Sequence, residues 1–301
     1  MTMLAAFGVG TAFNLGAAML PSTRDRPGAV ARVAAVLVTS LALAIPFALD
    51  GPAVFRAVLA QALVMETWRV LEIVRTPSRF GRRERALRVL LIPYEITFLE
   101  RVPRRWPIRE LSLSTLILCC GVAGVVLSSR LSPPVAPYSV DGWPRWLGSA
   151  AAFYVVMEGM TWQWVAILPA FGWRHRAYQR HPILARTLAE FWGVRWSSVI
   201  HRWLRSNVYE PLARRNAPRA GVVAAFGASA LLHAYMVCPA AGVVPALWML
   251  SFFFAHGVFV VLEAKLRVRR WPRIAGRAFV VAVFLVTVPL FLEPVLRAAG
   301  L

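Results

Sequence analysis

One histidine, His233, lies inside an almost wholly apolar run from Val222 to Val237, VVAAFGASALLHAYMV. An ionisable side chain in a span of this kind is costly and marks a functional position by default. With an ordinary pKa of about 6.5, an imidazole is suited to taking a proton from a hydroxyl and returning it to a leaving group. Apolar surroundings favour the neutral ring that acts as a base. Ahead of the run stands a segment of opposite character, from Thr187 through Phe191-Trp192-Gly193-Val194-Arg195-Trp196 to Ser197. Trp and Arg together belong at a membrane–water interface. Such a segment feeding into a span that carries a base points to chemistry on a lipid at the bilayer surface. The alternative for His233 alone is a histidine hydrogen-bonded between packed helices.

The elements that must position these residues are membrane spans. Of 301 residues 58% are apolar, against roughly 45–50% in soluble chains. Eight runs have transmembrane length: 3–20, 29–49, 52–74, 111–129, 146–172, 219–238, 243–264 and 278–298. The stretch 87–99, LRVLLIPYEITFL, is too short to cross and is expected to lie in the interface or re-enter. The N-terminal run has no basic residues before it and reads as a first span rather than a cleaved signal peptide. The fold class expected is therefore all-α: one polytopic membrane domain over 1–301, with neither a soluble domain nor an internal repeat.

The formal net charge of +20 would suggest nucleic acid in a soluble protein. Here the charge is almost all Arg, and it is distributed by loop. Arg24, Arg26, Arg32, the series from Arg75 and Arg79 to Arg109, and the segments 173–218 and 265–277 are Arg-rich. The turn at Asp50-Gly51 and the loops 130–145 and 239–242 are poor in it. With eight spans every rich loop falls on one face, which the positive-inside rule makes cytoplasmic. That reading excludes nucleic acid as a partner and predicts a multi-pass protein of a bacterial inner membrane, with its basic face toward anionic lipid headgroups.

The segment 187–207, TLAEFWGVRWSSVIHRWLRSN, is predicted to form a cytoplasmic interfacial helix broken near Gly193. Trp192, Trp196 and Trp203 form its apolar stripe, and Arg195, Arg202 and Arg205 its polar side. Glu158, with Trp162, Gln163 and Trp164, interrupts the fifth span and is expected to face a polar cavity or pair with an arginine. His256 is expected to pack or line a channel, Glu263 to pair locally near Lys265 and Arg267, and Asn14 to join helices. His175 and His181 sit in a basic loop. Cys119, Cys120 and Cys238 show neither metal-ligand nor disulfide spacing.

Three of these features, in this order, resemble the wax synthase branch of the membrane-bound O-acyltransferase family. They are FWGVRW at 191–196, the small-residue span Gly227-Ala228-Ser229-Ala230-Leu231-Leu232-His233, and the next span, Phe252-Phe253-Phe254-Ala255-His256-Gly257 to Glu263. The resemblance is good over roughly 185–265; Trp68-Arg69-Val70-Leu71-Glu72 is compatible with it. Where the family usually carries Asn or His after the FWG-x-R-W segment, this chain has Ser197, with His201 four residues on. The resemblance implies transfer of an acyl group from acyl-CoA to the hydroxyl of a lipophilic alcohol. His233 would be the general base, with Ser197, His201 or a backbone N–H opposite the developing oxyanion. Trp192, Trp196, Glu158 and His256 would line the site, and Arg195, Arg202 and Arg205 would receive the CoA phosphates. Acyl-CoA is then a co-substrate, with no bound cofactor and no metal, and the partners are the alcohol and membrane lipids. The alternatives are a non-catalytic lipid-binding relative and a transporter or flippase. An inverted-repeat transporter would show matched interrupted spans, and the two halves here do not match.

Overall fold

A computed structural model of the chain describes residues 2–20, 29–75, 80–91, 98–176 and 178–301. Arg24, Arg26 and Arg79 lie outside the described residues. In chain order the elements are α1 (Met3–Met19), α2 (Ala29–Ala44), α3 (Ala53–Arg75), α4 (Arg82–Leu90), β1 (Leu99–Arg101), α5 (Ile108–Ser129), α6 (Trp143–Ile167), β2 (Trp173–His175), α7 (Leu188–Glu190), α8 (Ser198–Leu204), α9 (Glu210–Ala213), α10 (Pro218–Ala241), α11 (Val243–Lys265) and α12 (Arg273–Ala298). A helix occupies each of the eight expected spans. Among the described residues six helical stretches are long and apolar enough to cross a membrane. α1 is shorter at 17 residues, and α3 carries Arg56, Glu66, Arg69 and Glu72 along its length. The protein is an all-α, multi-pass integral membrane protein. Of the stretch expected to be interfacial, α4 covers the first part and β1 begins at its last residue; 92–97 lie outside the described residues.

The chain divides into two compact units. The first comprises Met1–Phe98 with Tyr235–Gly242 and Ala298–Gly300. Small residues let its helices approach: Ala17, Ala18 and Ala35 pack against Val70, Ile73 and Val74. Between α1 and α3 lies a buried carboxylate, Glu66. Thr11 Oγ1 donates to it at 2.8 Å and Asn14 Nδ2 at 2.9 Å, so Asn14 does join helices.

The second unit comprises Leu99–Ala234, Val243–Arg297 and Leu301. α5 and α6 form a close pair through glycines. A Cβ on Gly121 would lie 2.7 Å from the Val156 backbone nitrogen, and one on Gly159 equally close to that of Leu118. Such contact is the small-residue packing of membrane helices. β1 and β2, too short to show in the sequence pattern, pair antiparallel with Glu100 opposite Arg174.

The start of α6 and the end of α12 are joined by a buried ion pair. Glu293, fully buried, accepts from Trp146 Nε1 at 2.9 Å and Arg297 Nε at 2.9 Å, and lies 3.3 Å from Arg145 Nε. The Arg145 guanidinium also donates to the carbonyls of Ser129 and Leu301. Removing one partner of such a pair strands buried charge, at a typical cost of about 3–5 kcal/mol. Glu293→Ala should therefore lower the thermal midpoint in detergent far more than Arg297→Ala, whose side chain is partly exposed. Equal, small shifts would show that the pair does not hold this end of the unit.

Candidate active site

The Trp- and Arg-rich segment is two short helical pieces rather than one helix. Thr187 caps α7, accepting from Glu190 N at 3.0 Å. The chain then widens into a π turn over Phe191–Arg195, closed by Trp196 N donating to Phe191 O at 2.8 Å. The break falls at Ser197, not at Gly193. Ser197 is extended (φ −140°) and caps α8, accepting from Ile200 N at 3.4 Å. The next residue's amide is drawn sideways to Tyr178 O at 2.9 Å. A helix cannot run through a residue whose neighbour's N–H is committed elsewhere.

Two anchors seat this segment on the bundle. Glu263 of α11 accepts from the backbone N–H groups of Leu188 and, at 3.2 Å, Ala189. The carboxylate thus satisfies helix-start donors that have no intrahelical partner. The expected local pairing with Lys265 or Arg267 is replaced by this contact, because Glu263 is 5% exposed and faces the Trp-rich segment. The second anchor is Trp192, which points into an aromatic cluster of Phe226, Phe252, Phe253 and Phe284. Its Nε1 donates to His256 Nδ1 at 3.1 Å. His256 Nε2 lies 3.0 Å from Thr287 Oγ1, whose own hydroxyl donates to Val283 O at 2.8 Å. An indole N–H only donates, so His256 carries its proton on Nε2 and both ring nitrogens are satisfied. This is a packing histidine with a defined job.

His233 has the opposite arrangement. Its Nδ1 lies 2.8 Å from the carbonyl oxygen of Ser229, one turn back on α10. A carbonyl only accepts, so the proton sits on Nδ1 and the Nε2 lone pair is left open. Among the described residues nothing bonds to Nε2. The ring stacks on Phe253 at a centroid distance of 3.9 Å, and Phe253 in turn lies 5.7 Å from Trp192. Phe253 therefore separates the open histidine from the saturated one. Gly257 lets α10 and α11 close here: a Cβ at that position would meet Phe226 Cβ at 2.7 Å.

The other expected site residues are placed as follows. Trp196 stacks on Phe191 at 5.4 Å. His201 is half-buried beside Gly193, whose Cβ would lie 3.6 Å from its Cε1. Burial, then the charge of Arg205, lowers its pKa. Among the described residues no hydrogen bond joins Ser197 or His201 to His233. Arg195 donates to Glu190 at 2.6 Å and to the carbonyl of Arg180 at 2.8 Å. Arg205 pairs with Glu210 at 3.3 Å, and Arg202 stands beside His201 on α8. Glu158 does not interrupt its span. α6 runs through it, and Tyr154, one turn back, donates to its carboxylate at 2.8 Å, in place of the arginine expected.

Residues 175–255 match the model of the membrane bound O-acyl transferase family. This segment is similar to that family, and its likeness is to the wax synthase branch. Three curated Arabidopsis thaliana proteins are similar. Probable long-chain-alcohol O-fatty-acyltransferase 3 is 35% identical over 133 residues, 39% of this chain and 39% of its own length. Probable long-chain-alcohol O-fatty-acyltransferase 2 is 34% identical over 115 residues, 35% of this chain and 34% of its own. Probable long-chain-alcohol O-fatty-acyltransferase 1 is 32% identical over 134 residues, 38% of each. The aligned stretch thus spans between about a third and two fifths of the length of these relatives.

Sequence reasoning missed Glu190 and Thr287 as parts of this machinery. Thr187 and Glu190 have the S/T-x-x-E spacing of a capping box, a legible signal; Thr287 is a lone polar residue in an apolar helix and carried none. Burial pushes the Glu190 carboxyl up, but the Arg186 N–H and the Arg195 guanidinium outweigh it and hold the carboxyl below its ordinary range. A depressed carboxylate contributes stability above its unfolded pKa and loses it as pH falls through the folded value. The stability gap between wild type and Glu190→Gln should therefore be open at neutral pH and close on acidification below the ordinary carboxylate range; a pH-independent gap would contradict the assignment. Thr287→Val, which leaves His256 Nε2–H without an acceptor, should cost about 1–3 kcal/mol by thermal unfolding. No shift would remove Thr287 from the network.

Proposed function

We propose that the protein is an O-acyltransferase that moves an acyl group from acyl-CoA to the hydroxyl of a long-chain or otherwise lipophilic alcohol, forming an ester. The observation that carries this reading is the open Nε2 of His233, held by the Ser229 carbonyl in the tautomer a base requires. The names of the similar plant proteins, long-chain-alcohol O-fatty-acyltransferases, support the acceptor class. As the alcohol oxygen attacks the thioester carbonyl, Nε2 takes its proton. When the tetrahedral intermediate collapses, the C–S bond breaks and that proton passes to the departing thiolate, giving ester and free CoA. An alcohol is a poor nucleophile at neutral pH, so a placed base contributes about 10²–10⁴ in rate. The oxyanion donors proposed are the Ser197 hydroxyl, His201 or a backbone N–H, and removing one such donor costs about 10²–10³. Trp192 and His256, saturated by each other and by Thr287, are assigned to the wall of the site. The Arg-rich loops are proposed to face the cytoplasm, where acyl-CoA is available.

The test is turnover by purified protein in nanodiscs, supplied with acetyl-, octanoyl- and palmitoyl-CoA and a panel of fatty, terpenoid and sterol alcohols. Ester should form with wild type. His233→Ala should be slower by at least about 10², the low end for a lost general base, while keeping its thermal midpoint. Ester made equally well by the variant, or none made by folded wild type, would overturn the proposal.

A further inference from the structure

A cleft of about 610 Å³ opens beside the seat of the Trp-rich segment, lined by Thr187, Ala189, Glu263, Arg267, Arg269 and Arg270. Its size falls in the range of small-molecule sites. The three arginines are exposed, and among the described residues none has a carboxylate partner. Several other arginines of the Arg-rich segments are spoken for: Arg195 by Glu190, Arg205 and Arg214 by Glu210, Arg105 by Glu110 and Arg174 by Glu100. The one acid lining the cleft, Glu263, gives its oxygens to the N–H groups of Leu188 and Ala189 and makes no ion pair with the three arginines. The cleft therefore sets three arginines against a single carboxylate.

The arginines are also held in place. Arg267 takes a left-handed backbone conformation (φ 53°), which side-chain-bearing residues rarely adopt. Backbone strain of this kind persists where surrounding structure over-determines it. Here Val268 is 1% exposed and pins the turn to the core. The turn is closed by Arg270 N donating to Arg267 O at 2.8 Å and Trp271 N donating to Val268 O at 2.9 Å. Three arginines of one fixed turn thus line one cleft.

We propose that this cleft is a phosphate site, binding the phosphate ester of a molecule larger than phosphate itself through Arg267, Arg269 and Arg270. Guanidinium groups suit phosphate because their planar donor fork meets two oxygens at once. Two sources carry this chemistry: a phosphorylated nucleotide such as the adenosine part of an acyl donor, and the headgroup of an anionic phospholipid. The site stands on its own geometry, and only the nucleotide source rests on the acyltransferase reading. In either case the ligand would lie against the Glu263–Leu188 contact that seats Trp192.

The experiment uses the full chain in nanodiscs and reads binding without turnover. Adenosine 3′,5′-bisphosphate is titrated in phosphatidylcholine nanodiscs. In parallel, retention of phosphatidylglycerol is measured by native mass spectrometry from mixed nanodiscs. Wild type is compared with Arg267→Asn/Arg269→Gln/Arg270→Gln, in which Asn tolerates the left-handed backbone. Arg269→Gln/Arg270→Gln serves as the milder variant should the triple one fail to fold. Weakening of nucleotide binding by at least about tenfold, the loss expected for one charge-assisted hydrogen bond, establishes the site with a nucleotide source. The same loss of phosphatidylglycerol alone establishes it with a lipid source. Indistinguishable binding of both probes by wild type and folded variants overturns the proposal. Because no turnover is read, failure to make ester leaves this result standing, and loss of the phosphate site leaves the assignment of His233 untouched.

Discussion

In the hydrocarbon core of a bilayer no water satisfies a polar group, so each must find its partner inside the protein. That constraint fixes the protonation pattern of two histidines on adjacent helices. His256 is offered an indole N–H on one side and a hydroxyl on the other, and both of its nitrogens are consumed. His233 is offered one carbonyl, and a single nitrogen is consumed. The ring that stabilises the bundle and the ring proposed to act on substrate are the same side chain, sorted by their neighbours. Phe253 keeps them apart, lying against His233 on one hand and Trp192 on the other.

The rest of the second unit serves that arrangement. Trp192 reaches His256 because the π turn at Phe191–Arg195 and the capping at Ser197 let the segment fold against α11 and α12. Glu263 fixes its start, and Glu190 with Arg195 fixes its end. The ion pair of Arg145 and Glu293 fastens the start of α6 to the end of α12. Glu263, Glu293 and His256 are each a buried charge or ring nitrogen met by a donor from another element. Losing one partner therefore costs more than the bond itself would suggest.

The helices were legible in the sequence because hydropathy over about 20 residues is a strong signal. His233 was legible for the same reason, since an imidazole stands out in an apolar run. Less legible was anything that depends on side-chain direction across elements. Glu263 read as a partner for nearby Lys265 and Arg267, yet its geometry serves the backbone of Leu188. Glu158 read as an interruption, although a tyrosine one turn away lets the helix continue through it. The FWGVRW segment read as an interfacial helix because Trp and Arg favour that place. A stripe of tryptophans, however, does not say whether lipid or a Phe-lined bundle will cover it. The short β1–β2 ladder lies below the length at which periodicity is detectable.

The most direct test of the opposed tautomers is ¹⁵N NMR of the protein labelled at histidine, with His233 and His256 assigned by single substitution. The account predicts a protonated Nδ1 and an unprotonated Nε2 for His233, and the reverse for His256. Finding His233 protonated at Nε2, or charged at neutral pH, would mean that no lone pair faces the site, and the general-base assignment would fall.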